Sequence, residues 1–167
     1  MYIEHSFLNI VQWYEGYCRL TYQPEQTEII EFNNQLCRIL MQINREKDKK
    51  LIQDITRYGY EVPLKKQLKK LFLEIGLKDI LNINSRELDS LIFYIGEYRN
   101  RLTHPNKNNN DSCDKLVHLA YLLNKVVFLV IIRKLNLGTE TLAYKRIIDD
   151  IQFNYSQFVK VKKEVNE

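Results

Sequence analysis

The segment from Lys115 to Leu135 constrains the fold most, because apolar side chains occupy almost every side of its predicted helix. Other elements must cover such a helix, and the rest of the chain repeats apolar residues at intervals of three and four, the spacing of amphipathic helices. The 167 residues include only 5 Gly and 3 Pro, too few for the many turns of an all-β fold. The sequence therefore predicts an all-α bundle of about five to seven helices with a long central apolar helix.

The remaining predicted helices follow from the apolar spacing and from capping residues. Asn84 or Ser85 caps the helix that ends around His104, and the run from Asn44 to Lys50 is either a connection or an exposed continuation of the second helix. Ile80 to Ile83 reads as a short apolar connection. We expect one domain over residues 1–167, with a charged tail from about residue 160. The predicted helices cover residues 4–22, 24–44, 51–58, 64–75, 85–104, 115–135 and 139–161.

Composition favours a cytoplasmic protein without a membrane partner. The three cysteines are odd in number and widely spaced, which argues against a disulfide framework and against a zinc site. The N-terminal residues lack the pattern of a secretion signal, and the most apolar run, Val126 to Ile132, is too short to span a bilayer. The net charge of +4 gives only a weak indication of an anionic partner. The cysteines are Cys18, Cys37 and Cys113.

The stretch from Tyr98 to Pro105 carries the chemistry that stands out. Arg99 supplies a permanent cation and His104 a group that titrates near neutral pH, a pair suited to phosphodiester chemistry. Five residues of regular helix would turn the two side chains to different faces, but Pro105 disfavours helix at His104 and allows it to turn back. Asn100 is four residues before His104, where it can hydrogen-bond the imidazole. Alternatively, the three residues only stabilise the last carbonyls of the helix.

The residues Ile95 to His104 resemble the signature of the HEPN superfamily, an arginine followed after four to six residues by a histidine, commonly with Asn directly after the arginine. As in that family, a polar loop and a long apolar helix follow. The likeness extends to the first helix, where Phe7 to Gln12 with Glu15 resembles the C-terminal HEPN domain of ApeA-type anti-phage proteins, and to Pro63 to Ile75, which resembles the helix before the motif helix.

This resemblance implies a metal-independent endoribonuclease with no cofactor, acting in phage defence (abortive infection) or as a toxin. HEPN nucleases usually form homodimers in which two motifs share one cleft. Mapped onto this chain, His104 is the general base or acid, Arg99 stabilises charge on the phosphate, and Asn100 orients His104 or the phosphate. The internal 2′-hydroxyl attacks, leaving a 2′,3′-cyclic phosphate. The sequence has no clustered set of metal ligands, which agrees with such a reaction.

Four further residues have supporting roles in this hypothesis. Glu15 pairs with Arg99 and holds it, or is an ordinary exposed acid. Thr103 hydrogen-bonds a local carbonyl. Arg101 and Lys107 flank the motif and either contact RNA or serve only solubility.

Two groups of residues elsewhere have both a structural and a functional interpretation. A lysine-rich helix face is either a solvated surface or a basic track for a phosphate backbone. Aromatic residues of the first helix are core or dimer surface, with base stacking as the alternative. The lysines are Lys65, Lys66, Lys69 and Lys70, and the aromatics are Trp13, Tyr14 and Tyr17.

Other functions and partners stay open at this stage. Some HEPN toxins carry a tyrosine two residues after the histidine, where this chain has Asn106, so a role that depends on that tyrosine is not expected. A non-catalytic helical module that binds RNA, a nucleotide or a partner protein is the alternative function, and a structural dimerisation domain is a third. The expected partners are RNA, a second copy of the chain, and an antitoxin or an additional N-terminal sensor domain.

Overall fold

The computed structural model describes residues 2–56, 63–104 and 113–164, and these residues form eight α-helices and no strand. The all-α prediction is confirmed, and the helices agree closely with those expected from the apolar spacing. The helices are α1 (Tyr2–Thr21), α2 (Gln26–Met41), α3 (Glu46–Thr56), α4 (Leu64–Glu74), α5 (Leu77–Leu81), α6 (Ser85–Thr103), α7 (Cys113–Lys134) and α8 (Leu142–Glu164).

Two connections differ from expectation. Helix α5 occupies part of the segment that was expected to be an apolar connection, and it is bounded by Gly76 (φ 68°) and Asn82 (φ 51°), both in the left-handed region. Left-handed residues end one helix and let the chain turn sharply into the next, so one turn of helix fits between them. The charged run from Asn44 to Lys50 lies mostly in α3, since residues 46–50 belong to that helix and not to the second helix.

Helix α7 is central, as its composition predicted. It packs against α8 and α1, and its inward leucines and valines are buried, Leu119, Leu122, Leu123 and Val126 among them. The buried Tyr14 hydroxyl of α1 donates a 2.8 Å hydrogen bond to the carbonyl of Leu123. By length and composition, α7 is long and apolar enough to cross a membrane, but half of that apolar window is buried inside the protein. Burial of this kind is typical of the core helix of a bundle.

Helices α1, α4 and α6 pack against one another and form the part of the bundle that carries the motif. Their contact is made by buried apolar residues, including Phe7 of α1, Leu68 and Phe72 of α4, and Ile95 of α6. A polar cluster adds a second link: the hydroxyl of Tyr22 and the ammonium of Lys134 both hydrogen-bond the carboxylate of Glu74. These hydrogen bonds, that of Lys134 first, lower the pKa of Glu74.

Helices α2 and α3 contribute no buried residue, although both are amphipathic. The apolar residues of α2 at positions 29, 32, 36 and 40 are only half-buried. Ile39, Met41 and Ile55 are exposed, Met41 by 83%. This pair of helices therefore adds little to the core that supports the motif.

Candidate active site

The motif lies at the C-terminal end of α6, and both ends of that helix are set by local sequence. At its start, the Asn84 side chain accepts a hydrogen bond from the Glu87 backbone, and the Glu87 carboxylate accepts one from the Asn84 backbone. Of the two caps that the sequence allows, Asn84 and Ser85, the structure therefore has Asn84, in a capping box with Glu87. At its end, His104 leaves the helical region (φ −131°, ψ 71°) while its N–H still donates to the carbonyl of Asn100 at 2.9 Å. The helix ends where the sequence predicted.

Arg99 is held between α6 and α1. Its Nε lies 3.2 Å from Oε1 of Glu15, and its NH1 group donates a 3.3 Å hydrogen bond to Oδ1 of Asn100. Of the two alternatives for Glu15, an ion pair with Arg99 or an ordinary exposed acid, the structure therefore has the ion pair. A guanidinium has five N–H donors, so these two contacts fix its plane and leave donors for an anionic group.

His104 and Asn100 are arranged differently from expectation. The side chain of His104 is exposed, and the bond that joins the two residues is the backbone hydrogen bond at the helix end. The Asn100 side-chain oxygen accepts from Arg99, so the carboxamide orients the guanidinium where an imidazole contact was expected. Thr103 bonds local carbonyls, as expected: its hydroxyl donates to the carbonyl oxygens of Arg99 (2.9 Å) and Asn100 (3.1 Å).

Of the two residues that flank the motif as candidates for contacting RNA, the structure describes Arg101 but not Lys107. The guanidinium of Arg101 lies over the ring of Tyr98, 4.6 Å from its centroid, a cation–π contact that holds it against α6. Lys107 lies outside the described residues, as do Pro105 and Asn106.

Arg99 lines a cleft of about 440 Å³ between α1, α4 and α6. The cleft brings together three of the expected site residues, Arg99, Asn100 and Glu15, whereas His104 is not part of its wall. Two further cations, Arg19 and Lys65, line it beside the pair formed by Glu15 and Arg99. Its walls are formed by Glu15, Arg19, Pro63, Leu64, Lys65, Gln67, Gly96, Arg99 and Asn100.

Sequence reasoning did not single out three of these wall residues, Arg19, Lys65 and Gln67, as parts of the motif site. Lys65 was grouped with the lysines of its helix face, and Arg19 is one of many surface cations. Gln67 did carry a signal: it lies three residues after Leu64 and one before Leu68, in the apolar stripe of α4, and it is 6% exposed. A polar residue at a core position calls for a partner or a ligand.

The lysines of α4 do not form a free basic track. Lys65 lies 3.8 Å from the Glu97 carboxylate and its ammonium stands over the ring of Phe93. Lys69 pairs with Asp89 at 2.7 Å. These contacts favour the solvated-face interpretation for most of that surface, and leave Lys65 as the lysine that also borders the cleft.

The aromatic residues of α1 divide between core and surface. Tyr14 is fully buried, while Trp13 and Tyr17 are partly buried and stack on each other with centroids 5.2 Å apart. Within residues 2–56, 63–104 and 113–164, no three His, Cys, Asp or Glu side chains are grouped so as to hold a metal ion.

A family model described as Apea-like HEPN matches residues 8–141 of the chain. The match runs from α1 through α7, including the cleft and the motif, and stops just before α8 begins at Leu142. No curated protein and no solved structure shows significant similarity to the chain.

Proposed function

Because the chain belongs to the Apea-like HEPN family, we propose that it is a metal-independent endoribonuclease that uses Arg99 and His104 and acts as a dimer. Family membership supports a nuclease-type or defence-type module. The proposal of RNA cleavage rests on the cleft: a guanidinium oriented by Glu15 and Asn100 lines a space of about 440 Å³, large enough for a nucleotide phosphate, which Arg19 and Lys65 also line.

In the proposed reaction, Arg99 binds the scissile phosphate through its remaining N–H donors. Its planar fork suits two phosphate oxygens, and its charge stabilises the additional negative charge of the transition state. Glu15 keeps the guanidinium in one orientation before the substrate arrives, which reduces the reorganisation needed during the reaction.

His104 supplies the proton transfer. It takes the proton of the ribose 2′-hydroxyl, whose oxygen attacks the phosphorus, and the bond from phosphorus to the leaving 5′-oxygen breaks as that oxygen receives a proton from the protonated His104 of the second copy. The products are a 2′,3′-cyclic phosphate and a 5′-hydroxyl. Because His104 is exposed at the helix end and is not part of the Arg99 cleft, the proposal assigns the facing half of the site to a second copy of the chain.

The test is RNA cleavage by the purified protein in the presence of EDTA, with the ends of the products identified. We expect Arg99→Ala and His104→Ala each to lower the rate by roughly 10²- to 10⁴-fold, the usual loss for a group that moves a proton or stabilises charge. His5 and Arg38 are exposed and lie far from the motif in the sequence. The variants His5→Ala and Arg38→Ala are therefore matched controls, which should cleave RNA normally. Melting curves check that all four variants fold.

Cleavage that survives both motif substitutions would contradict the proposal. RNA binding by the wild type without cleavage would instead support the alternative, a non-catalytic helical module. The proposed role in phage defence or as a toxin is tested in bacteria, where expression of the wild type should arrest growth and His104→Ala should not.

A further inference from the structure

Helix α7 has an apolar side that the described part of the chain leaves exposed. Half of its apolar window is buried, where α7 packs against α1 and α8, and the other half is not. The outward residues follow one another at alternating intervals of four and three along the helix. We call them the α7 seam: the half-buried Val117, the exposed Tyr121, Asn124, Phe128 and Ile131, and the exposed Leu135 directly after the last residue of α7.

The spacing of the α7 seam is that of a helix that packs against one other helix. Alternating intervals of four and three repeat every 3.5 residues or about that, and they keep the contact in one narrow stripe as two helices wind around each other. The opposite side of α7 already supplies the core of the bundle, through buried residues such as Leu122, Val126 and Leu129. Because monomers rarely leave a continuous row of large apolar side chains in water, the seam indicates a helical partner.

Asn124 identifies that partner, because its carboxamide lies in the middle of the seam. A carboxamide that is buried against apolar groups loses hydrogen bonds, whereas two carboxamides that face each other can each donate and accept. When two copies of α7 run parallel around a two-fold axis, every seam residue meets the same residue of the other copy, so Asn124 meets Asn124. The antiparallel register that keeps the two seams in contact would place Asn124 against Phe128. A polar pair in such a seam fixes the register of the helices.

A groove beside the seam provides the space that its bulkiest pair needs. Two tyrosine rings at the same level of a helix pair require more room than two leucines do. The groove has a volume of about 640 Å³ and lies between α1 and α7. Its walls include Tyr121 and Asn124 of the seam and Tyr2, Ile3 and Ser6 of α1. The Tyr121 ring of a second copy can therefore turn into this groove while the smaller pairs of the seam remain in contact.

We infer that the α7 seam binds the α7 seam of a second copy of this chain, parallel to it and with the two Asn124 carboxamides hydrogen-bonded across the two-fold axis. The inference rests on the proposed function, which requires a second copy but leaves open the surface that binds it. A two-fold axis along the helices keeps both copies of His104 at the same height in the dimer. Antiparallel helices would turn one copy of the motif upside down relative to the other.

The first test measures association of the full chain by sedimentation velocity over a range of concentrations. We expect the wild type to dimerise and Phe128→Glu to raise the dissociation constant by roughly 100-fold or more, because each dimer would bury the new carboxylate twice. Phe153→Glu is the matched control, since Phe153 lies on α8 outside the seam and is 59% exposed, against 49% for Phe128. It should dimerise like the wild type, and circular dichroism checks that both variants remain helical.

The second test determines the direction and register of the helix pair. Asn124→Cys is made in a chain that also carries Cys37→Ser and Cys113→Ser, and the protein is oxidised with copper phenanthroline. In the parallel pair the two introduced thiols face each other, so a disulfide-linked dimer should appear on a non-reducing gel. Asn33→Cys in the same background is the control, because Asn33 is exposed on α2 and lies outside the seam. It should remain monomeric on the gel.

Three results would overturn the inference: a wild type that is monomeric at every concentration, a dimer that survives Phe128→Glu, or no disulfide at position 124. A monomeric wild type that binds phosphatidylglycerol vesicles, and loses this binding in Phe128→Glu, would assign the seam to a membrane surface. Ribonuclease activity is a separate readout. If Phe128→Glu is monomeric and still cleaves RNA, the α7 contact stands and the shared active site fails. If the dimer survives Phe128→Glu and cleaves RNA, the inference fails and the endoribonuclease stands.

Discussion

The bundle formed by α1 and α4 to α8 and the pair of helices α2 and α3 have similar amphipathic sequences and different burial. In the bundle, apolar residues such as Phe72 and Leu119 are fully buried. In α2 and α3 no residue is buried, although Ile29, Phe32 and Leu36 recur at the same helical spacing. Apolar periodicity therefore predicts that a helix forms, but it does not predict how much surface the helix buries.

This difference has a functional consequence. Among the residues that the structure describes, those that line the Arg99 cleft are Pro63 and members of α1, α4 and α6, so the site depends on the tightly packed part of the molecule. Groups that must hold a transition state are best placed on elements whose side chains are fixed by packing. The α2 and α3 pair can vary in stability without moving Arg99 or Glu15.

The largest difference between the two regions is expected when one leucine in each is replaced by alanine. Leu119→Ala removes a fully buried side chain of α7 and should lower the free energy of unfolding by about 2–5 kcal/mol. Leu36→Ala removes a half-buried leucine of α2, where water already reaches the side chain, and should cost less than about 1 kcal/mol. Urea denaturation of both variants and the wild type measures the difference.

Measuring ribonuclease activity adds a second comparison between the same two variants. Leu36→Ala should retain wild-type cleavage under native conditions, since its helix does not touch the cleft. Equal losses of unfolding free energy in the two variants would contradict the contrast between the regions, because they would place α2 within the cooperative core.

The sequence predicted the helices well because their signals are local. The cap at Asn84, one of the two that the sequence allowed, and the helix end at His104 both depend on neighbours within four residues, and the structure has them. Helix α5 was missed because its five residues are too few to show a period, and its boundaries depend on the left-handed residues Gly76 and Asn82.

The site was only partly predictable, because it is built by contacts between distant segments. The pairing of Glu15 with Arg99 was only one of two alternatives at the level of the sequence, because nothing in a spacing of 84 residues reveals it. The approach of Arg19 and Lys65 to the same cleft follows from how α1 crosses α4 and α6, which no local pattern encodes. The Asn100 side chain hydrogen-bonds Arg99 and not His104, and this depends on side-chain geometry at the end of α6.

Cysteine reactivity gives a second, smaller measure of the two regions. Cys18 is buried in α1, and burial raises the pKa of its thiol to about 11, whereas Cys37 on α2 is exposed. The thiolate is the reactive form, so at pH 8 iodoacetamide should modify Cys37 at least on the order of 100-fold faster than Cys18. Mass spectrometry of the digested peptides follows each thiol separately. In denaturing urea the two rates should become similar, and similar rates in native buffer would mean that the α1 region opens as readily as α2.

Hydrogen bonds provide the finest comparison. In the bundle, the Tyr14 hydroxyl joins α1 to the Leu123 carbonyl of α7, whereas in α3 the hydroxyl of Thr56 donates to the Ile52 carbonyl of its own helix, at 2.6 Å. Tyr14→Phe should lower the free energy of unfolding by about 1 kcal/mol, since the lost bond is buried and connects two helices. Thr56→Ala should change it by less than about 0.5 kcal/mol, because alanine favours the helix and the lost bond is local.

The pH dependence of the Tyr14→Phe effect tests its cause. Burial raises the pKa of Tyr14 well above its ordinary value, so the hydroxyl stays protonated and keeps donating to Leu123 from pH 6 to pH 9. In the unfolded chain the phenol has an ordinary pKa near 10, which also leaves it protonated over this range. The proton count of folding is thus unchanged, and urea denaturation should give the same difference between Tyr14→Phe and the wild type at both pH values. A difference that shrinks toward pH 9 would mean that the Tyr14 hydroxyl ionises in the folded protein. It would remove the contrast between a buried hydrogen bond that joins two helices and a part-buried local bond within α3.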